Sequence, residues 1–170
     1  VRKVIQLAEF IDSFNRRIGY ATAWLATVMV IVQFIVVLLR YVFGVGGLML
    51  QESLTYMFSV LFMLGAGYTL LNDGHVRVDI FYGAAKPSTR AIVNLLGSLF
   101  FLIPFSVLIV IISQPYVAAS WAVLEGSKET SGIPGVFLLK SLIPIFAILL
   151  ILQGISNSIR AYIALTYKTD

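Results

Sequence analysis

Of the 170 residues, 59% are hydrophobic and 12% charged, with a mean hydropathy of +0.96; soluble domains run at roughly 45–50% apolar and about 25% charged. Polar surface is too scarce to cover a water-soluble globule, so lipid is the expected solvent for much of the chain. The net charge of +4 comes from basic residues lying between apolar runs rather than on one face, which speaks against a nucleic-acid partner. The absence of cysteine excludes disulfides, thiolate zinc sites and iron–sulfur clusters, and a single histidine excludes a bis-histidine haem within one copy; no cofactor is expected.

Residues 1–18 come first. Val4, Leu7, Ile11, Phe14 and Ile18 recur at spacings of three and four, with Arg2, Lys3, Glu9, Asp12, Arg16 and Arg17 on the remaining face. That pattern predicts an amphipathic helix in the membrane interface, with a plain extension of the first spanning helix as the alternative. Four apolar runs follow, at 19–43, 48–71, 91–117 and 133–162. A helix needs about 20 residues to cross a ~30 Å hydrocarbon core, and helix is the spanning form that satisfies its own backbone. The fold class expected is therefore an all-α membrane protein, a single domain of four transmembrane helices plus the amino-terminal amphipathic helix. Residues 72–90 form the loop between the second and third spans, 118–132 the segment on the opposite, periplasmic side, and 163–170 the tail; 120–135 reads as mixed helix and loop broken by Gly132, Pro134 and Gly135.

Nine of the twelve lysines and arginines lie in the amino-terminal segment, the 72–90 loop and the carboxy-terminal end (Arg160 and Lys168); Arg40, Lys128 and Lys140 lie on the other side. The positive-inside rule then puts both termini and the 72–90 loop in the cytoplasm. "ATA" at 21–23 opens the first apolar run instead of following one, so no cleavable signal peptide is expected.

The polar residues within these runs carry the functional question. A charge in a spanning segment costs ~2.5–3.5 kcal/mol on insertion scales, so Arg40 and Glu52, both near outer helix ends, are expected to pair, dock a subunit or reach headgroups. Thr55, Tyr56 and Ser59 follow Glu52 on its helix, which favours a protein-facing carboxylate. Gln33 and Gln153 sit mid-span and are expected to hydrogen-bond between helices. Gly19, Ala23 and Thr27, and Gly154 with Ser158, form rows of small residues that allow close helix approach. "NDGHVRVD" (72–79) reads as a helix stop with Gly74 left-handed, then an alternating segment in which His75, Arg77 and Asp79 share one side. Its bland role is an inner-surface turn, with Arg77, Lys86 and Arg90 on lipid phosphates. A proton relay through His75 lacks titratable groups leading across the bilayer. There is no phosphate loop, metal-ligand cluster or nucleophile–base pattern, so no enzyme is expected.

"RYVFG" (40–44) closing the first span, and "MLQESLTYMFSVLFMLGAGYTLLNDGHVRVDIFY" (49–82) with its acidic helix start, "LGAGYTL" and "HVRVD" turn, resemble the small membrane subunit of tripartite ATP-independent periplasmic (TRAP) transporters, the DctQ or Q subunit. The likeness covers nearly the whole chain. Many members have a tryptophan and two acids where this chain has Met49, Gln51 and Glu52. The resemblance implies a bacterial inner-membrane scaffold for a large elevator-type M subunit, which carries the substrate and sodium sites. A periplasmic binding protein would deliver an organic anion. It also implies no catalytic, substrate-binding or metal residues here. Arg40, Gln51, Glu52, Tyr56, His75, Arg77 and Asp79 are then candidates for contacts within the chain, with the M subunit or with phospholipid. The alternatives are a self-assembling four-helix channel or exporter and, further off, a membrane electron-transfer subunit.

Overall fold

The computed structural model describes residues 2–76 and 82–167, and among them the regular secondary structure is all helical. The helices are α1 (Arg2–Tyr41), α2 (Leu48–Leu71), α3 (Pro87–Gly97), α4 (Ile103–Ala122) and α5 (Val136–Thr166). A single π-helical turn, Ser98–Leu102, joins α3 to α4, so four helices in all are long and apolar enough to cross a membrane. The π turn has a local cause. Pro104 has no N–H and its ring crowds the preceding turn; Ile103 reaches back to the Ser98 carbonyl in the wider i→i+5 pattern, and the helix runs on through the proline.

The long carboxy-terminal helix organises the bundle: α1, α2, α3 and α4 all pack on α5, and α1 also packs along α2. Small residues set the approach distances. Tyr68 lies flat against Gly19, where a Cβ would stand 2.2 Å from its Cγ, and Gly154 admits Leu102 and Ile103. Ser106, Ser113 and Ser120, seven residues apart, are the buried residues of α4. Ala23 and Thr27, which continue the Gly19 row, face outward instead.

Helix α1 is unbroken for 40 residues, about 60 Å at 1.5 Å per residue, or twice a hydrocarbon core. Its amino-terminal part turns one stripe to the bundle and leaves most of its large apolar side chains outside. Ala8, Ile11, Asp12 and Asn15 are buried, whereas Val4, Leu7, Phe10 and Phe14 are exposed. Periodicity groups residues by side; it does not say which side a neighbouring helix will cover.

The ends of α2 and α4 close in the same way. Gly74 N donates to Thr69 O (2.8 Å) and Asp73 N to Leu70 O (3.3 Å), while Glu125 N donates to Ser120 O (3.0 Å) and Leu124 N to Trp121 O (3.2 Å). In each Schellman cap the left-handed residue is not a glycine: it is Asp73 (φ 58°) or Leu124 (φ 46°). The helix stop after α2 is thus where the sequence placed it, but Asp73 rather than Gly74 makes the turn. Aspartate tolerates this conformation better than most residues.

Candidate functional site: polar clamps at the two ends of the bundle

At one end, α1 offers Asp12 and Asn15, one turn apart, and α5 offers Gln153, Ser156, Asn157 and Arg160, whose spacings of three and four put them on one stripe. Gln153 is fully buried and fully engaged. Its Oε1 accepts from Asn15 Nδ2 (2.8 Å), and its Nε2 donates to Asp12 Oδ1 (3.1 Å) and Asn157 Oδ1 (3.1 Å). Asp12, 5% exposed, also accepts from Ser156 Oγ (2.6 Å) and, at Oδ2, from Arg160 Nε (2.9 Å) and Nη2. The carboxylate therefore holds four donors and an opposite charge, the condition under which a buried ion is tolerated.

One buried atom of this cluster has no hydrogen bond: Asn15 Oδ1. It points at Gly67 of α2, where a Cβ would lie 2.6 Å away. The glycine hydrogen occupying that direction gives the oxygen a weak Cα–H···O contact, of the kind that recurs where helices touch closely. Three helices, α1, α2 and α5, are thereby locked at one point.

At the other end, Glu52 at the start of α2 reaches the loop between α4 and α5. Its Oε1 accepts from Ser127 Oγ (2.5 Å) and its Oε2 from the Ile133 amide (2.6 Å). Ser127 N donates to Ile133 O (3.1 Å), closing the loop on itself, and Gly132 lies so close that a Cβ there would be 2.2 Å from Ser127 Oγ and 2.7 Å from Glu52 Oε1. Tyr56, one turn along α2, rests against Gly135. Beside them, Lys140 of α5 bonds Glu125 (2.5 Å) and lies 4.1 Å from the centre of the Tyr116 ring, and Trp121 donates to Ser141 Oγ (2.8 Å) while meeting Phe137 edge-on at 4.7 Å. The loop is pinned from three helices.

Two predictions arise here. Glu52→Ala removes the acceptor of the Ile133 amide, so hydrogen exchange at that amide should accelerate far more than exchange along α2; equal protection in the variant would mean that the carboxylate does not hold the loop. The second concerns acid. The hydrogen bond from the Lys140 ammonium holds the Glu125 carboxyl below its usual 4.5. A depressed carboxyl contributes in full above its unfolded pKa and loses that contribution as pH falls through the lowered folded value. Proteolysis of the 123–135 loop should therefore rise below about pH 4.5, and Glu125→Gln should show part of that rise already at pH 7, where Glu52 still holds the loop.

The candidate residues distribute as follows. Glu52 and Tyr56 belong to the outer clamp. Arg40 is exposed and meets no carboxylate among the described residues, so Glu52 pairs with the loop and not with Arg40. Gln51 is half-buried, with its backbone N–H on Gly47 O (3.2 Å). His75 is exposed at the rim of a cavity between helix ends, and Arg77 and Asp79 lie outside the described residues. Gln153 forms the interhelical bonds expected of it, whereas Gln33 faces out of the bundle. Asp12, Asn15, Arg160, Ser127 and Gly67 were not singled out. The spacing of Gln153, Ser156, Asn157 and Arg160 on an otherwise apolar helix was the signal available for the inner clamp.

The inner carboxylate and amides are bonded to one another, and no group of three histidine or acidic side chains able to take a metal occurs among the described residues. Large apolar side chains such as Trp24, Phe34, Phe101 and Phe105 face outward, as in a protein solvated by lipid or by another membrane chain.

No curated protein matches the chain. No solved structure matches it either. The family model for the DctQ component of tripartite ATP-independent periplasmic transporters matches residues 29–163, a region containing the outer clamp and the α5 half of the inner one. With four membrane-length helices and that match over most of its length, the chain belongs to the DctQ family of TRAP transporter membrane subunits, multi-pass proteins of the bacterial inner membrane.

Proposed function

We propose that this chain is a static scaffold for a large elevator-type membrane subunit, in a system that takes up an organic anion (a carboxylate, sugar acid or sulfonate) with sodium and a periplasmic binding protein. The carrying observation is that the hub of the inner polar cluster is used inside the chain. Asp12 and Gln153 each meet several partners, so the inner end is braced across three helices. A brace of this kind suits a subunit that stays still while another moves. Gln33 adds support for a membrane partner. About 15 Å from Phe43 along a helix axis, its amide faces outward at hydrocarbon depth, with no hydrogen bond from the described residues. An amide there gains most from a second polar helix.

The orientation of this reading, termini inward and the Glu52 clamp outward, rests on the lysine and arginine count. Docking of the binding protein would then involve the face that carries the 123–135 loop.

Reconstitution tests the reading. Vesicles with this chain, the large subunit and the binding protein should take up solute, and vesicles with this chain alone should not. Uptake by the chain alone would replace the scaffold with the channel reading. In the complete system His75→Gln should leave the pH profile of uptake unchanged, because no titratable chain leads from His75 across the bilayer; a lost profile with normal assembly would assign His75 a relay role.

A further inference from the structure

Helices α2 and α3 pack on α5 rather than on each other, and the gap between them at the inner-clamp end is a cavity of about 880 Å³. It lies where three helix ends meet: the end of α2 (Leu70–Asp73), the start of α3 (Pro87) and the last turns of α5 (Asn157–Ala164). That is the depth at which a spanning bundle meets headgroups. Its size falls within the range of about 300–1,000 Å³ common for small-molecule pockets. One part of the wall is apolar, formed by Leu70, Val93, Leu102 and Ala164; the rest is polar.

The polar part offers hydrogen-bond donors that the chain leaves unused. Arg90 spends Nε on Ala85 O (3.0 Å) and Nη2 on Gly83 O (2.5 Å), both neutral carbonyls, and lies 5.5 Å from the centre of the Tyr82 ring, so among the described residues its charge meets no carboxylate and three N–H groups remain. Arg160 engages Nε and Nη2 with Asp12 and keeps its Nη1 pair. Asn157 uses its Oδ1 and keeps its amide N–H groups. Ser98, 7% exposed, turns toward the cavity with no partner for its hydroxyl. The acids nearby are Asp12, neutralised by Arg160, and Asp73 at the rim, which has a partner of its own. Unused donors around a guanidinium call for an anion with several acceptor oxygens, and an apolar wall beside them calls for an acyl chain on the same molecule.

We propose that this cavity binds one anionic phospholipid, with its phosphodiester on Arg90 and the free Nη1 side of Arg160 and the upper part of its acyl chain passing Ala164 along Val93 and Leu102. The site goes beyond a scaffold role: it makes a single lipid part of the wedge that holds α2 and α3 apart on α5. Phosphate on Arg90 would also leave the Asp12–Arg160 pair intact, since Arg160 contributes only its free Nη1 side.

Native mass spectrometry of the delipidated chain, purified with whatever membrane subunit accompanies it, tests the proposal with phosphatidylglycerol, phosphatidylcholine and glycerol phosphate as probes. Phosphatidylglycerol should be retained at one copy per chain at concentrations at least tenfold below phosphatidylcholine, and millimolar glycerol phosphate should not displace it. Arg90→Gln should weaken retention at least tenfold; Ala164→Trp, which fills the apolar wall from an exposed position, should do the same without touching a polar group. Lys86→Gln, equally basic but not lining the cavity, should change nothing. Equal retention of the two lipids, or equal loss in Lys86→Gln, would reduce the effect to surface charge and overturn the site. Displacement by glycerol phosphate would make it a soluble-anion site, and retention unaffected by Ala164→Trp would place the lipid elsewhere. Absence of lipid from an intact assembly would assign the gap to a helix of the other subunit.

Discussion

Asp12→Leu should be among the most damaging single substitutions in this chain, at about 2–4 kcal/mol, and Arg160→Gln should cost less, about 1–3 kcal/mol. The asymmetry follows from burial. Asp12 is 7% exposed in its side chain and accepts from Gln153, Ser156 and Arg160; without it, the first two donors are stranded in a dry helix interface. Arg160 is 55% exposed, so in Arg160→Gln water reaches the open side of the carboxylate, which also keeps its Gln153 and Ser156 donors. Membrane interhelical hydrogen bonds measured singly average below 1 kcal/mol, so the large value rests on two donors and a counter-ion losing one shared acceptor. Melting of the purified protein in detergent, monitored by helicity, ranks the two variants. Equal losses would mean that the cluster is solvated and the carboxylate is not a buried hub.

Gly67→Ala and Gly65→Ala, two residues apart on α2, should move stability in opposite directions. A Cβ at Gly67 would stand 2.6 Å from Asn15 Oδ1 and 3.0 Å from its Cγ. Asn15 is tied to Gln153 at 2.8 Å and cannot withdraw without breaking that bond. Overpacking of this kind costs about 1–3 kcal/mol. At Gly65 the nearest atom is Thr22 Oγ1 at 3.9 Å, an ordinary contact, so the new methyl fits and the helix gains up to about 1 kcal/mol of propensity. Asn15→Ala in the Gly67→Ala background should recover part of the loss by making room. If Gly67→Ala is neutral, α1 and α2 do not meet at this closeness. If Gly65→Ala destabilises as well, the effect belongs to glycine in this helix and not to the Asn15 contact.

The two clamps differ in how far they could be read from the chain. Glu52 was conspicuous because a lone acid at the start of an apolar run is costly, and that cost alone says it must find a partner. Which partner was not legible. Arg40 lies near in sequence and at similar depth, but the carboxylate takes Ser127 and the Ile133 amide, 75 and 81 residues away. Asp12 was inconspicuous for the opposite reason. In a stretch with Glu9, Arg16 and Arg17 it reads as one more residue of a solvated face, and only the arrival of α5 turns it inward.

Apolar run length, by itself, determined four membrane-length helices, because covering ~30 Å of hydrocarbon without exposing backbone leaves no other form. Motif order from Arg40 to Tyr82 determined the family, since those residues stand in the chain where the family has its own. Tertiary structure alone decided that α1 continues unbroken from Arg2, that Asp12 and Asn15 face α5, and that Gly67 meets an amide. It also decided that the gap between α2 and α3 is lined by Arg90 and Asn157. The physical reason is that hydropathy reports whether a segment prefers lipid to water, a property of each segment alone. Burial of a polar side chain depends on which helix covers it, and that is fixed by how small residues such as Gly19, Gly67 and Gly154 let the helices close on one another.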